Sequence, residues 1–392
     1  MNKGAKPMIE IQHISKNFRQ TEVLHDISFN IQDGELITII GESGCGKTTL
    51  IKLINRLIKP TSGTILIDGE DIENVNEVAL RRKIGYVIQQ TGLFPHMTVG
   101  ENISLIPSIA KKGTPGGTPE ALEKKTIELL EMVNMDPASC INRYPTELSG
   151  GQQQRIGVAR AFANDPEIIL MDEPFSAVDP ITRAELQEEL IDLHNKVSQT
   201  IVFVTHDMDE AIKIADKICI MKDGYVLQYD TPENILRNPA DRYVSDFVGR
   251  KRIWSSPEFI KVQDIMIENP ICAKSNTTVF RALGLMREKR IDSLLITEAK
   301  GGCLIGAVKA ETLREVSDSG SPITPYIEFP KNVLYPDQNI LDALNIANNR
   351  KESTIPVIDR EQHLLGLITK SSLVTVMSQQ YFEVEDDKEV LL

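Results

Sequence analysis

Hydrophobic and polar positions divide this chain into two textures. Over residues 8–236, short apolar runs alternate with longer amphipathic stretches, the alternation expected of strands and helices wound into a largely parallel sheet. The runs LITII at 36–40, IILM at 168–171 and IVFV at 201–204 show no regular polar alternation. A strand with one face in water would alternate, so these predict central strands covered on both faces. The Gly/Pro-rich KKGTPGGTP at 111–119 predicts a loop and residues 119–133 a helix. Residues 91–161 as a whole read as a helical subdomain inserted into the sheet domain.

Near Trp254 the texture changes and the chain repeats itself. SNTTVFRAL at 275–283 aligns with PDQNILDAL at 336–344, which places Ala282 on Ala343 (343 − 282 = 61). Gly306 falls on Gly366 (366 − 306 = 60), so one gap reconciles the two offsets. Each copy predicts helix, strand, turn, strand, helix, with SLLI before LIGAV in the first and TIPVI before LLGLI in the second. Two copies are too few for a solenoid, and a paired module is expected. The closing EVEDDKEV is acidic and reads as a frayed tail.

At 392 residues the chain exceeds an ordinary single domain, and two or three are expected. Its 41% apolar and 25% charged residues are the balance of a folded soluble protein, neither disordered nor membrane-embedded. A formal net charge of −13 argues against nucleic acid as the main partner, because phosphate backbones are met by basic faces. The cysteines Cys45, Cys140, Cys219, Cys272 and Cys303 lie far apart, with no CxxC and no nearby histidine pair. Neither a zinc site nor a disulfide framework is indicated, and a reducing cytosol is expected. The opening MNKGAKPMIEIQ lacks the apolar core of a signal peptide, and no run reaches the roughly eighteen apolar residues of a spanning helix. If the protein acts at a membrane, something else crosses it.

The most specific chemistry is in Gly41, Glu42, Ser43, Gly44, Cys45, Gly46, Lys47 and Thr48, with Thr49 following. This run follows the LITII strand and opens the helix TTLIKLINRLI, the context a phosphate-binding loop needs. Glycines let the backbone curl around one anion, and the helix start adds partial positive charge. Lys47 can then reach the β and γ phosphates of ATP, and the Thr48 hydroxyl can ligate Mg²⁺. Farther on, the IILM strand ends in Asp172 and Glu173. Side chains alternate along a strand, so the two carboxylates are expected to serve different targets, Asp172 holding Mg²⁺ and Glu173 acting as general base on water.

Those features alone describe a P-loop NTPase; further motifs narrow the class. Leu148, Ser149, Gly150, Gly151 and Gln152, followed by QQRIGVARA, resemble the signature sequence of ABC ATPases. Gln89 resembles that family's Q-loop, Ser176, Ala177, Val178 and Asp179 its D-loop, His206 its switch histidine, and Phe18 the aromatic on which adenine stacks. The resemblance covers about residues 8–240. It implies a role for Gln89 at the metal and the attacking water. It also implies a dimer of two copies of the chain, in which Ser149, Gly150, Gly151 and Gln152 of one copy face the γ-phosphate bound by the other. His206 would hold that phosphate and the facing D-loop.

The segments LRRKIGYVIQQTGLFPHMTV, ELSGGQQQRIGVARA and FVTHDMDEAIKIADKI resemble the quaternary-amine (glycine betaine, carnitine, choline) importer ATPases, and the C-terminal repeat resembles a tandem CBS pair. The fold implied is an α/β P-loop NTPase domain with an inserted helical subdomain, then an α/β CBS pair. Its boundaries would be 8–240 for the ATPase, 241–254 for a linker, 255–317 and 321–380 for the CBS copies and 381–392 for the tail. The implied partners are integral membrane permease subunits, an extracellular substrate-binding protein or domain, and a regulatory signal such as cyclic di-AMP or ionic strength at the CBS pair. The implied location is the cytoplasmic membrane face, with no nucleic acid bound. The CBS adenosine pattern Gly-x-x-Thr/Ser-x-x-Asp reads here as Gly306, Lys309, Thr312 and Gly366, Thr369, Ser372, without the ribose-binding carboxylate. A soluble CBS-regulated ATPase, a nucleotide-sensing module and an importer of a related betaine such as ergothioneine are the alternatives.

Overall fold

The computed structural model describes residues 8–374 apart from 90–91, 177, 198, 250–251, 299–301 and 350–353. Contacts divide the chain into two units, Met1–Val248 and Gly249–Leu392. In the first, the apolar runs become inner strands of a six-stranded sheet ordered Tyr225–Asp230, Lys217–Lys222, Leu36–Gly41, Thr200–Thr205, Ile168–Asp172, Ile84–Val87. All neighbours from Lys217–Lys222 to Ile84–Val87 pair in parallel, with Thr38 opposite Phe203 and Leu170 opposite Val202. Only Tyr225–Asp230 joins antiparallel, at the edge.

Every residue of Leu36–Gly41, Ile168–Asp172 and Thr200–Thr205 is buried, and successive side chains feed two different cores. Leu170, Val202 and Val204 pack with Leu50 and Leu53 of the helix Lys47–Ile54, while Ile169, Met171 and Phe203 pack with Leu130, Ile156 and Leu190. Burial on both faces is why the sequence pattern carries no polar alternation. The helical subdomain expected at 91–161 contains Val99–Ala110, Pro119–Met132 and Gly150–Phe162. Its apolar faces share the core of Met171 and Phe203 instead of forming one of their own. A capping box fixes where the first of these helices starts: Glu101 N donates to Thr98 Oγ1 at 3.2 Å and Thr98 N to Glu101 Oε2 at 2.7 Å.

A second sheet in this unit was not legible in the apolar pattern. It is antiparallel, ordered Thr21–Ile31, Ile9–Phe18, Ser62–Ile67, Glu70–Asp71, and packs against the core of Leu50 and Leu170. His13 and Asp26 take left-handed backbone angles, φ 54° and 50°, and the register shifts between Ile11 and Ile14. Such bulges break the two-residue period that marks a strand in a sequence. The stretch read as a linker, 241–254, is helical over Arg242–Val248, where Val244 and Val248 are buried.

The second unit carries the repeat. Val279–Lys289 and Ser293–Thr297 recur as Ile340–Asn349 and Thr354–Ile358, an offset of 61 (354 − 293), and Leu304–Lys309 recurs as Leu364–Thr369, an offset of 60 (364 − 304). The gap therefore falls in the turn between the two strands. Each copy lends backbone to the other: Ile267 lies opposite Leu367 beside the second copy's strand, and Glu328 lies opposite Ala307 beside the first copy's. Leu295, Leu304 and Ile358 form a core shared by both copies, with Leu364 and Leu367 packed against it. This exchange accounts for the two aligned glycines. A Cβ on Gly306 would stand 2.7 Å from the Glu328 carbonyl oxygen, and one on Gly366 would stand 2.9 Å from that of Ile267.

Gly306→Val is accordingly expected to weaken the second unit by about 1–3 kcal/mol, the usual cost of overpacking. Denaturant unfolding of the full chain should show the midpoint of that unit falling while the first unit's transition stays in place.

Candidate functional site

The parallel strands deliver polar groups to one edge of the six-stranded sheet. Gly41 ends Leu36–Gly41, Asp172 ends Ile168–Asp172, His206 follows Thr200–Thr205, and Gln89 lies two residues past Ile84–Val87. All four are at carboxyl ends, the edge where open α/β sheets hold ligands. Between Gly41 and the helix Lys47–Ile54 the chain turns through left-handed Gly44 (φ 86°) and Gly46 (φ 104°). A Cβ on Gly46 would stand 2.5 Å from a Leu24 methyl group. Glycine is thus required there by both backbone angle and space.

Ser43 and Glu42 are exposed on this loop, whereas Cys45 and Lys47 are buried and Thr49 is half-buried. Lys47 Nζ donates to the carbonyls of Gly41 at 2.6 Å and Glu42 at 3.0 Å. Burial pushes the Cys45 thiol pKa up, so this cysteine is a packing group and not a nucleophile. Thr48 Oγ1 donates to Asp172 Oδ1 at 2.9 Å. Asp172 is 5% exposed; burial raises its pKa, opposed by the Thr48 bond. A buried carboxylate and a hydroxyl beside a phosphate-type loop are hard oxygen donors that fit Mg²⁺.

Glu173 departs from the expected strand alternation. The strand ends at Asp172, and Glu173 takes a left-handed conformation, φ 47°, which itself turns its side chain to other partners. Gln89 Nε2 donates to Glu173 Oε2 at 3.1 Å, and His206 Nδ1 lies 3.5 Å from the same oxygen. The backbone of Glu173 is pinned by its N–H to Val204 O at 3.0 Å and by Ser176 Oγ, which donates to Glu173 O at 3.0 Å. A non-glycine residue held left-handed by its surroundings, with its carboxylate between an amide and an imidazole, is a common mark of a working site. His206 has 60% of its side chain exposed, so it is no satisfied core histidine.

The remaining motif residues lie outside this cluster. Ser149 caps the helix Gly150–Phe162, accepting from Gln152 N at 3.3 Å while Ser149 N donates to Gln152 Oε1 at 3.0 Å. Ser149 and Gly150 are exposed, and a Cβ on Gly150 would meet nothing within 4 Å. Among the described residues, no hydrogen bond joins Ser149, Gly150, Gly151 or Gln152 to the loop of Gly41 to Thr49. Phe18 is 45% exposed, with Lys16 Nζ 4.9 Å from its ring centroid. Asp179 accepts from Thr182 N at 3.1 Å at the start of Pro180–Val197, and this bond lowers its pKa. Ala177 lies outside the described residues.

Two residues that the motifs did not single out tie this region together. Arg183 Nη2 donates to Val178 O at 3.2 Å, and Nη1 lies 3.7 Å from Asp207 Oδ2, so one side chain joins the 176–179 segment to the residue after His206. Glu210 is buried and accepts from Gln187 Nε2 at 3.1 Å, which holds the helix Met208–Ile214 against Pro180–Val197. Arg183 sits one helical turn past Asp179, yet its guanidinium goes to Val178 O and Asp207, partners that the i, i+4 spacing does not predict.

The family model described as ABC transporter matches residues 24–176, and the CBS domain model matches 262–319 and 324–379. The carnitine transport ATP-binding protein OpuCA of Listeria monocytogenes is 44% identical over 97% of this chain and 94% of its own length. The glycine betaine/carnitine/choline transport ATP-binding protein OpuCA of Bacillus subtilis is 44% identical over 97% of this chain and 99% of its own. Among solved structures, a dimeric ATP-binding cassette in a post-hydrolysis state bound to ADP and Pi superposes with a TM-score of 0.53 at 35% identity. The match covers 57% of this chain and 99% of that one.

Gly46→Ala forces a side chain into a left-handed angle, a cost of about 1–2 kcal/mol before the Leu24 clash is added. Nucleotide affinity of the full chain, read by equilibrium titration, is expected to fall by about tenfold or more, with unfolding of the second unit unmoved.

Proposed function

The chain belongs to the ATP-binding subunits of ABC transporters that end in a CBS pair, and from that premise we propose that it hydrolyses ATP to drive uptake of a quaternary-amine compatible solute through a separate membrane permease. The observation that carries the reading is the cluster at the carboxyl edge, where Thr48 meets Asp172 and Glu173 lies between Gln89 and His206. The loop of Gly41 to Thr49 wraps the phosphates of ATP, Lys47 turning from its own loop carbonyls to the β and γ oxygens. Phe18 stacks on adenine. Thr48 and Asp172, with Gln89 bonded to the neighbouring Glu173, would hold a Mg²⁺ ion, which would supply charge neutralisation at the phosphate oxygens.

Glu173 orients a water and accepts its proton while the water oxygen bonds to the γ-phosphorus and the bond to the ADP oxygen breaks. His206, exposed on the same edge, donates to the transferring phosphoryl group. Ser149, Gly150, Gly151 and Gln152 lie open on their own helix start and serve the nucleotide of a second copy, so hydrolysis belongs to a dimer. Asp179 and His206 meet across that dimer.

A groove of about 540 Å³ in the first unit lies along the strand Ile84–Val87 and reaches Ile88, the residue before Gln89, with Tyr86, Phe94, Ile106, Ile109 and Arg160 among its lining. Phe94, Ile106 and Ile109 are exposed there, and His96 packs edge-on against Phe94. An apolar groove beside the residue that touches Glu173 is a suitable seat for the permease, because movement there reaches the base directly. Among the described residues no helix is long and apolar enough to cross a membrane. As in ABC transporters generally, the chain works at the cytoplasmic face, with the permease spanning the bilayer and an extracellular protein or domain delivering the solute. The CBS pair regulates this motor in response to ionic strength or cyclic di-AMP. Its second copy has already committed its hydroxyls: Ser372 N donates to Thr369 Oγ1 at 3.1 Å and Thr369 N to Ser372 Oγ at 3.0 Å. This local pair disfavours ribose binding at that position.

The test is uptake of labelled glycine betaine, carnitine or choline by vesicles holding this chain and its permease. Glu173→Gln leaves the phosphate loop intact but removes the base, so ATP should still bind while uptake and hydrolysis fall by about 10²–10⁴-fold. Parental vesicles that take up none of these amines, or a Glu173→Gln chain of near parental rate, would contradict the reading.

A further inference from the structure

The first unit ends in the helix Arg242–Val248, and the chain leaves it at Gly249 to enter the second unit. One face of that helix, Val244 and Val248, is buried. Its Tyr243 reaches back to the phosphate loop: Tyr243 Oη donates to Glu42 Oε1 at 2.9 Å, a bond spanning 201 residues. The ring is held on two sides. Lys222 Nζ stands 3.8 Å from its centroid, and Phe247 stacks on it at 5.7 Å with 14° between the planes. Lys222 closes the strand that runs parallel to Leu36–Gly41, with Met221 opposite Gly41, so the ring is braced by the scaffold that carries the loop.

Glu42 is exposed, and an exposed carboxylate has no packing reason to hold one orientation. Its backbone carbonyl, however, accepts from Lys47 Nζ at 3.0 Å. The next anchor of the loop is Cys45, whose carbonyl accepts from Gly224 N at 3.2 Å just past Lys222. Besides the Thr48 bond to Asp172, the loop is thus fastened by backbone at Cys45 and by side chain at Glu42. Burial and the Glu42 carboxylate both push the Tyr243 phenol pKa up, so the hydroxyl stays protonated as a donor.

We propose that Tyr243 is a positioning residue for the phosphate loop, tying the helix by which the chain exits the ATPase unit to Glu42 and through it to the place of Lys47. The inference rests on the reading of residues 41–49 as the nucleotide loop. Displacement of the exit helix would then change nucleotide affinity without touching the base Glu173. A merely structural tyrosine would act through the ring contacts, which phenylalanine keeps.

The experiment is a double-mutant cycle in the full chain, with Mg²⁺-bound fluorescent ATP binding and steady-state hydrolysis as readouts. Tyr243→Phe is expected to weaken binding by about three- to tenfold, the size of one hydrogen bond to a charged group at a half-exposed site, with kcat little changed. Glu42→Ala should weaken it as well, and the double variant should be no weaker than the weaker single, because both remove the same bond. Melting of the nucleotide-free Tyr243→Phe chain should fall by no more than a few degrees, the size of one lost hydrogen bond. Parental affinity in Tyr243→Phe, losses that multiply in the double variant, or a large drop in nucleotide-free melting would each overturn the proposal. A parental chain that binds no nucleotide would overturn the loop reading itself and this inference with it.

Discussion

The hydrogen bond from Thr48 to Asp172 joins residues 124 apart in sequence, and the site depends on it. It requires that the helix after the phosphate loop and the strand Ile168–Asp172 end at the same level. Parallel pairing of Leu36–Gly41 with Thr200–Thr205, and of that strand with Ile168–Asp172, sets this level. Register in turn follows from burial: a slip of one residue would send Leu170 and Val202 to the wrong core. Packing on two faces therefore fixes to within ångströms where a hydroxyl and a carboxylate meet, and burial of Asp172 makes the meeting count.

Much of this was legible because the responsible residues are contiguous. A strand, a glycine loop and a lysine in one run state their own geometry, and apolar runs without alternation state that they are buried twice over. Legibility fails where a conformation reverses locally or a contact is made at long range. The antiparallel sheet hid because His13 and Asp26 break its period. The direction of Glu173 was expected from strand alternation, yet it arises from a left-handed turn after the strand has ended. Arg183 and Tyr243 act through single side chains across folds of the chain, and nothing in a run of letters reports such a contact. In the second unit the repeat was visible, but the exchange of backbone between its copies was not. That exchange gives Gly306 and Gly366 a packing role that stands whether or not a ligand binds nearby.

The first unit gathers Lys47, Thr48, Asp172, Glu173, Gln89 and His206 at one sheet edge, while Ser149 and Gly150 lie exposed at a helix start, Ser149 closing a capping box with Gln152. An exposed, glycine-lined helix start is suited to an anion. In the proposed dimer a second copy supplies that anion, which makes the catalytic unit larger than the chain.

That claim is tested most directly by mixing two inactive chains. Lys47→Ala damages only the phosphate loop and Ser149→Arg only the open helix start, so a mixed dimer contains one composite site built from two undamaged halves. The account predicts that each variant alone is inactive and that the mixture recovers hydrolysis well above their sum. A mixture as inactive as its components, with dimers shown to form and exchange, would contradict it.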